Sequence, residues 1–136
     1  MKRLLKTLFL IAFSVLFSCE EQGIFVNCSD CKTEQPLDAS IGIKLDKNIY
    51  GTATVINIYE GNLEDNILYG TFSTFSESTS YTVTVNKKYT ITASYFIHNK
   101  HYIAVDSATP RVKYTKDDCD DPCYFVYDKE VNLRLK

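Results

Sequence analysis

The chain of 136 residues contains no tryptophan and only five glycines. Without tryptophan, the commonest stacking partner for sugar rings is missing, and any aromatic contact falls to tyrosine. So little glycine leaves few long loops on which to mount a catalytic site. No apolar stretch reaches the roughly 20 residues that span a bilayer. The longest is the run of ten from Leu8 to Phe17. Beyond residue 18 no segment carries a helical period, and the connections are too short for parallel βαβ units. There is no Ser-His-Asp order, no paired-carboxylate cleft, no phosphate-cradling glycine loop and no HExxH, so no motif names a reaction. A basic patch is also absent, which argues against nucleic-acid partners.

The chain does contain a leader. Lys2, Arg3 and Lys6 precede the apolar run, and Leu16-Phe17-Ser18-Cys19 follows it. A basic head, a short apolar body and a small residue at the cut read as a secretory signal. A cysteine at the cut resembles the bacterial lipoprotein signal, although Phe17 is bulkier than the residue usual at its position. The resemblance implies that Cys19 becomes the lipidated first residue of the mature chain. It also implies two or three acyl chains (palmitate among them) and a permanent anchor in the outer membrane, on its periplasmic or its outer face. One acyl chain alone holds only marginally, at about 0.8 kcal/mol per buried CH₂. The expected organisation is a signal over 1–18, a lipidated tether over 19–38 and one β domain over 39–136. Removing the three leader cations from 15 leaves 12 basic against 17 acidic residues, a formal charge of −5. Such a surface repels phosphate backbones and anionic headgroups. Glu20-Glu21, directly after Cys19, resemble the surface-export signals of some Gram-negative lipoproteins.

From Ala39 onward the period is two. Ile41, Ile43 and Leu45 alternate with Gly42 and Lys44, and Thr52–Tyr59 is rich in β-branched residues. Ile67–Phe75 follows, with Gly70 a candidate bulge. Tyr81–Val85 and Tyr89–Ile97 alternate apolar and polar positions on either side of an Asn86-Lys87-Lys88 turn. Asn99-Lys100 reads as a tight turn into Tyr102–Asp106. Arg111–Thr115, Tyr124–Tyr127 and Val131–Leu135 complete the set. Seven to nine short strands with turns every 8–12 residues predict an all-β antiparallel sandwich. Ser80–Tyr95, a strand, a short corner and then Tyr-x-Ile-x-Ala, resembles the E–F region of immunoglobulin and fibronectin type III-like domains. That likeness implies that Tyr89 hydrogen-bonds back to the backbone at the corner. With its ending from Cys119 to Lys136, the whole chain resembles small Gram-negative lipoproteins carrying such a domain.

Five cysteines are an odd count for an exported chain. Giving Cys19 to the lipid leaves Cys28, Cys31, Cys119 and Cys123 to form two disulfides. Four cysteines allow three pairings. Links between the two clusters would close rings of roughly 90 residues, and chain entropy favours them over tiny local rings. Two other chemistries compete: a four-thiolate zinc site and a redox pair at Cys28–Cys31. If the clusters are linked, Cys28 lies at most about 30 Å of extended chain from Cys19, which draws the Cys119–Cys123 loop towards the membrane.

The remaining candidates are ordinary surface features in their simplest reading. Asp117, Asp118, Asp120 and Asp121 read as a solvated acidic turn, with Ca²⁺ the competing ligand. His98 and His101 flank the predicted turn as surface residues, with a transition metal as the competing reading. Tyr50, Tyr69, Tyr114, Tyr124 and Tyr127 are candidates for an aromatic face that grips a protein or glycan. Asp106-Ser107-Ala108 resembles an O-glycosylation signal of some Gram-negative lineages, with Ser107 the acceptor. The function these features point to is a non-catalytic, membrane-anchored binding or accessory module without cofactor. A metal-binding lipoprotein and a thiol–disulfide redox protein are the alternatives.

Overall fold

The computed structural model of the chain describes residues 26–49 and 51–136. The leader, Cys19, Glu20-Glu21 and Tyr50 lie outside the described residues. Among the described residues the regular structure is β, with two single 3-10 turns at Cys28–Asp30 and Leu63–Asp65. In chain order the strands are β1 (Asp38–Lys44), β2 (Thr54–Glu60), β3 (Leu68–Thr74), β4 (Ser78–Thr84), β5 (Tyr89–Ile97), β6 (Lys100–Ala108), β7 (Arg111–Thr115), β8 (Cys123–Tyr127) and β9 (Glu130–Asn132).

They form a three-stranded sheet in the order β4-β1-β9, a four-stranded sheet β3-β2-β5-β6 and a separate hairpin β7-β8. Alternation decides the faces. On β5 the side chains of Tyr89, Ile91, Ala93 and Tyr95 point inward and are buried. Ile56 and Ile58 of β2 join them from the same sheet. Ile41 and Ile43 of β1, Val83 of β4 and Val131 of β9 meet them from the other sheet, so the two sheets share one core. Each fully buried Ile or Leu side chain contributes about 1.5–3 kcal/mol relative to exposure.

Three local expectations change. The β5–β6 turn is His98-Asn99, one residue earlier than the sequence suggests, because Ile97 pairs with Lys100. Both turn residues have positive φ, 49° and 60°, as a two-residue turn matching the twist of its strands requires. β4 begins at Ser78, three residues before the alternating stretch Tyr81–Val85. The last strand ends at Asn132, after which Leu133 sends its N–H to the Lys44 carbonyl. The expected irregularity in β3 is present: the register shifts between Ile58 and Tyr59, leaving Tyr69 as the extra residue beside Gly70. Gly70 is required there, since a Cβ would run into the Tyr81 hydroxyl.

The sheets depart from a purely antiparallel arrangement at β1 and β9, which run parallel, Ile43 opposite Val131. The connection between these two strands is nearly the whole domain, so no short-range signal announces their pairing. Strand order also departs from immunoglobulin grouping, which puts the first two strands in one sheet with the fourth and fifth. Here β1 and β4 share one sheet, while β2 and β5 lie in the other.

The corner tyrosine is where the resemblance placed it. Tyr89 is fully buried, and its hydroxyl donates to the Thr84 carbonyl at 3.1 Å, tying the end of β4 to the start of β5. Burial, with Tyr69 and Glu60 adding to it, raises the phenol pKa above its ordinary value. Tyr89→Phe is expected to cost about 1 kcal/mol in urea denaturation with the disulfides intact. Ile58→Ala, which empties part of the shared core, is expected to cost about 2–5 kcal/mol.

Candidate functional site

The four paired cysteines define one end of the molecule. Cys28 bonds to Cys119 and Cys31 to Cys123, each with Cα atoms 5.6 Å apart. That separation is ordinary for an unstrained bridge. Three further contacts seat the tether on the hairpin. Lys32 and Tyr124 exchange backbone hydrogen bonds at 2.8 and 2.7 Å, and Lys129 lies 3.8 Å from Asp30. The hairpin is fastened to the domain in turn. Asn86 N–H donates to the Pro110 carbonyl, its side chain accepts from Val112 N–H, and Asp128 accepts from Thr109 N–H.

These bonds pair the two clusters with each other. A Cys28–Cys31 redox disulfide is not formed, since each of those residues is bonded elsewhere. The sulfurs of Cys31, Cys119 and Cys123 lie within 4.8 Å of one another. A zinc ion there would need all of them as thiolates.

The acidic residues of the 116–122 loop do not converge. Asp117, Asp118, Asp120 and Asp121 are all exposed. Asp118 is used locally, accepting from the Thr115 hydroxyl at 2.6 Å. Among the described residues, the three cysteines are the one set of metal-ligating side chains drawn together. His101 is exposed opposite Phe96, and His98 occupies the turn itself. Ser107 is exposed on β6. The tyrosines do not share a face. Tyr69 packs edge-on against Tyr89 on β3, with centroids 5.1 Å apart. Tyr114 and Tyr124 face each other across the hairpin at 4.9 Å, and Tyr127 leans on Phe125. Tyr50 lies outside the described residues.

What the sequence reading missed is a cleft at the opposite end. Asp38 pairs with Thr84, and Glu60 and Ala108 both pair with Tyr89, so these residues lie at the cysteine end. Residues 45–49 and 51–52, the His98-Asn99 turn and the C-terminal tail therefore lie at the other. There a cavity of about 350 Å³ opens between Asp46, Asn48, Ile49, Thr52, Phe96 and Leu135. Hydrogen bonds of Tyr95, Asp46 and Asn48 hold its frame. Tyr95 Oη donates to the Leu133 carbonyl at 2.7 Å and accepts from Asp46 N–H at 3.2 Å. Asp46 accepts from Leu135 N–H at 2.7 Å. Asn48 closes its own loop, donating to the Thr52 carbonyl and accepting from Gly51 N–H. Ile49 and Phe96 stand on the rim, 65 and 51 % exposed. The cleft is lined mainly by apolar surface, with Asp46, Lys47 and Asn48 among its polar residues, a lining that suits an apolar group. Ile49 sits in a loop and Phe96 on the polar phase of β5, and both being apolar against their pattern was the only available signal.

Two outcomes are expected. Either disulfide alone closes a ring of about 90 residues, worth about 4–5 kcal/mol by chain entropy. With one in place, the other closes only the short ring through 28–31 and 119–123, worth about 2–3 kcal/mol. Cys→Ala replacement of either pair should therefore cost about 2–3 kcal/mol in denaturant titrations. Loss of both pairs should cost more than the two single losses added together. The second outcome concerns Tyr95, whose pKa is raised chiefly by burial. Its folded pKa lies above the unfolded value, so its contribution is complete below about pH 10 and declines as pH rises through the folded pKa. Alkaline unfolding followed by circular dichroism should be less steep in Tyr95→Phe.

Neither protein-family models nor curated proteins nor solved structures give a match to this chain.

Proposed function

We propose that this chain is an exported, lipid-anchored protein of the outer membrane, acting as a non-catalytic binding or accessory module. The observation that carries the reading is the pair of disulfides joining residues 28 and 31 to residues 119 and 123. Structural disulfides of this kind persist in oxidising spaces and are rare in the cytosol. Using all four of these cysteines leaves Cys19, the residue that the leader offers for acylation. No helix among the described residues is long and apolar enough to cross a membrane, so the acyl chains would be the anchor.

The polarity of the domain supports the same reading. The tether is fastened at one end and the apolar cleft opens at the other. An acylated Cys19 nine residues before Cys28 would hold the cysteine end near the bilayer and present Ile49 and Phe96 away from it. The ligand is a protein or glycan offering an apolar group to that cleft. The β domain is a two-sheet sandwich. Its Tyr89 corner is the feature it shares with immunoglobulin and fibronectin type III-like domains, while its strand order is its own. A thiolate metal centre is the second reading, favoured by the convergence of the Cys31, Cys119 and Cys123 sulfurs.

Intact-mass analysis of protein extracted from membranes without reductant tests the proposal. The expected species begins at Cys19, carries acyl mass and has no free thiol. A species beginning at Met1, or one without acyl mass, overturns the anchor. Stoichiometric zinc with four alkylatable thiols would favour the metal centre.

A further inference from the structure

The outer edge of β6 is a long, straight strand edge without a partner strand among the described residues. The other edges of the two packed sheets are shorter, irregular or polar. β3 carries the register shift at Ile58/Tyr59, β9 is three residues long, and the exposed positions of β4 are serine and threonine. β6 pairs with β5 in unbroken register from Tyr89·Ala108 to Ile97·Lys100. It also presents apolar side chains to solvent, with Ile103 56 % and Val105 52 % exposed.

The direction of its backbone groups follows from the turn. In a two-residue hairpin the flanking pair, here Ile97·Lys100, exchanges both hydrogen bonds, and such pairs alternate along an antiparallel ladder. Lys100, Tyr102, Ala104 and Asp106 therefore bond inward to β5, while His101, Ile103, Val105 and Ser107 direct N–H and C=O outward. Ser107 confirms this phase, because its N–H is taken by the Asp106 side chain at 2.8 Å. The open run is thus His101, Ile103 and Val105, centred on Ile103.

We propose that this edge is where a second copy of the chain docks, β6 against β6 in antiparallel register, with Ile103 on the two-fold axis. Two observations choose that register independently. It is the one that pairs every open backbone group: His101 with Val105 of the second copy, Ile103 with its equivalent, and Val105 with His101. Each such pair exchanges both bonds. It also sets Lys100 opposite Asp106 of the second copy, so the strand is self-complementary in charge. The Asp106 carboxylate is held in place for this by Asn132 N–H at 2.8 Å. The two four-stranded sheets become one continuous sheet, and the exposed Ile103 side chains cover each other. The proposal stands on the strand edge alone and does not require a lipid anchor.

Site-specific crosslinking of the full mature protein, in detergent if it is acylated, provides the test. Ile103→Cys places two thiols across the axis about 5.5 Å apart at Cα, within reach of a short bis-maleimide. Ser73→Cys, exposed on the β3 edge, is the control for chance encounters. The expected result is a crosslinked dimer as the main species from I103C and only background from S73C. In light scattering of the uncrosslinked protein, Ile103→Lys should halve the mass of the unmodified chain. Mass spectrometry for both intact disulfides confirms that each variant is folded. Equal crosslinking from I103C and S73C, a monomer for the unmodified chain, or a ladder of higher oligomers would overturn the proposal, since a two-fold contact closes on itself. Dimer lost only on removal of a co-purified peptide would show that the edge takes a different strand.

Discussion

The double covalent tie between residues 28–31 and 119–123 is the constraint on which the rest of this structure depends. The β7–β8 hairpin is a two-stranded sheet with little core of its own, Thr115, Cys123 and Phe125 being its buried side chains. Isolated ribbons of this kind are marginal in water. The tether before β1 is in the same position, a 3-10 turn and a single bridge to Tyr124. Neither would hold a place alone. Joined by two disulfides they form one unit, which Asn86, Pro110 and Asp128 fasten to the end of the domain. The polarity of the molecule follows, with the entering chain and the hairpin at one end and the cleft at the other.

β5 carries that polarity through the core. It is a central strand of the four-stranded sheet, and it has a buried tyrosine near each end. At the cysteine end the Tyr89 hydroxyl reaches back to Thr84 and secures the crossing between sheets. At the cleft end Tyr95 joins the C-terminal tail to the loop after β1 through Leu133 and Asp46. In both cases the ring supplies apolar burial, and the hydroxyl satisfies a backbone group that would otherwise lose its hydrogen bond on leaving water. Both polar tips are therefore structural, and among the described residues no buried side-chain nitrogen or oxygen is left unbonded.

Much of this was legible in the residues. Ile41, Ile43, Ile91 and Ala93 fall on the inward phase that alternation assigns them, because a pleated strand has a period of two whatever it pairs with. The inward phase of Tyr89 follows from the same alternation, whereas its corner hydrogen bond was implied only by the likeness of Ser80–Tyr95 to immunoglobulin and fibronectin type III-like domains. The His98-Asn99 turn was misplaced by one residue. Asn99 signalled a turn, but Lys100 was counted with it, although its strand register with Ile97 makes it the first residue of β6. The cleft left only a faint trace in the sequence, the out-of-pattern Ile49 and Phe96. It is assembled from residues 46–49, Thr52, Phe96 and Leu135, which are far apart in the chain and share no pattern.

The amino-acid order by itself determined the β class, the buried phase of most strands and the two cysteine clusters, 28/31 and 119/123, that are available to pair. These are consequences of local geometry and composition. Only the tertiary structure decided which sulfur bonds to which, that β1 and β9 run parallel, and that β2 shares a sheet with β3 rather than with β1. Each of those outcomes depends on segments brought together across most of the domain. Alternation specifies which face of a strand is buried and carries no information about which strand lies beside it.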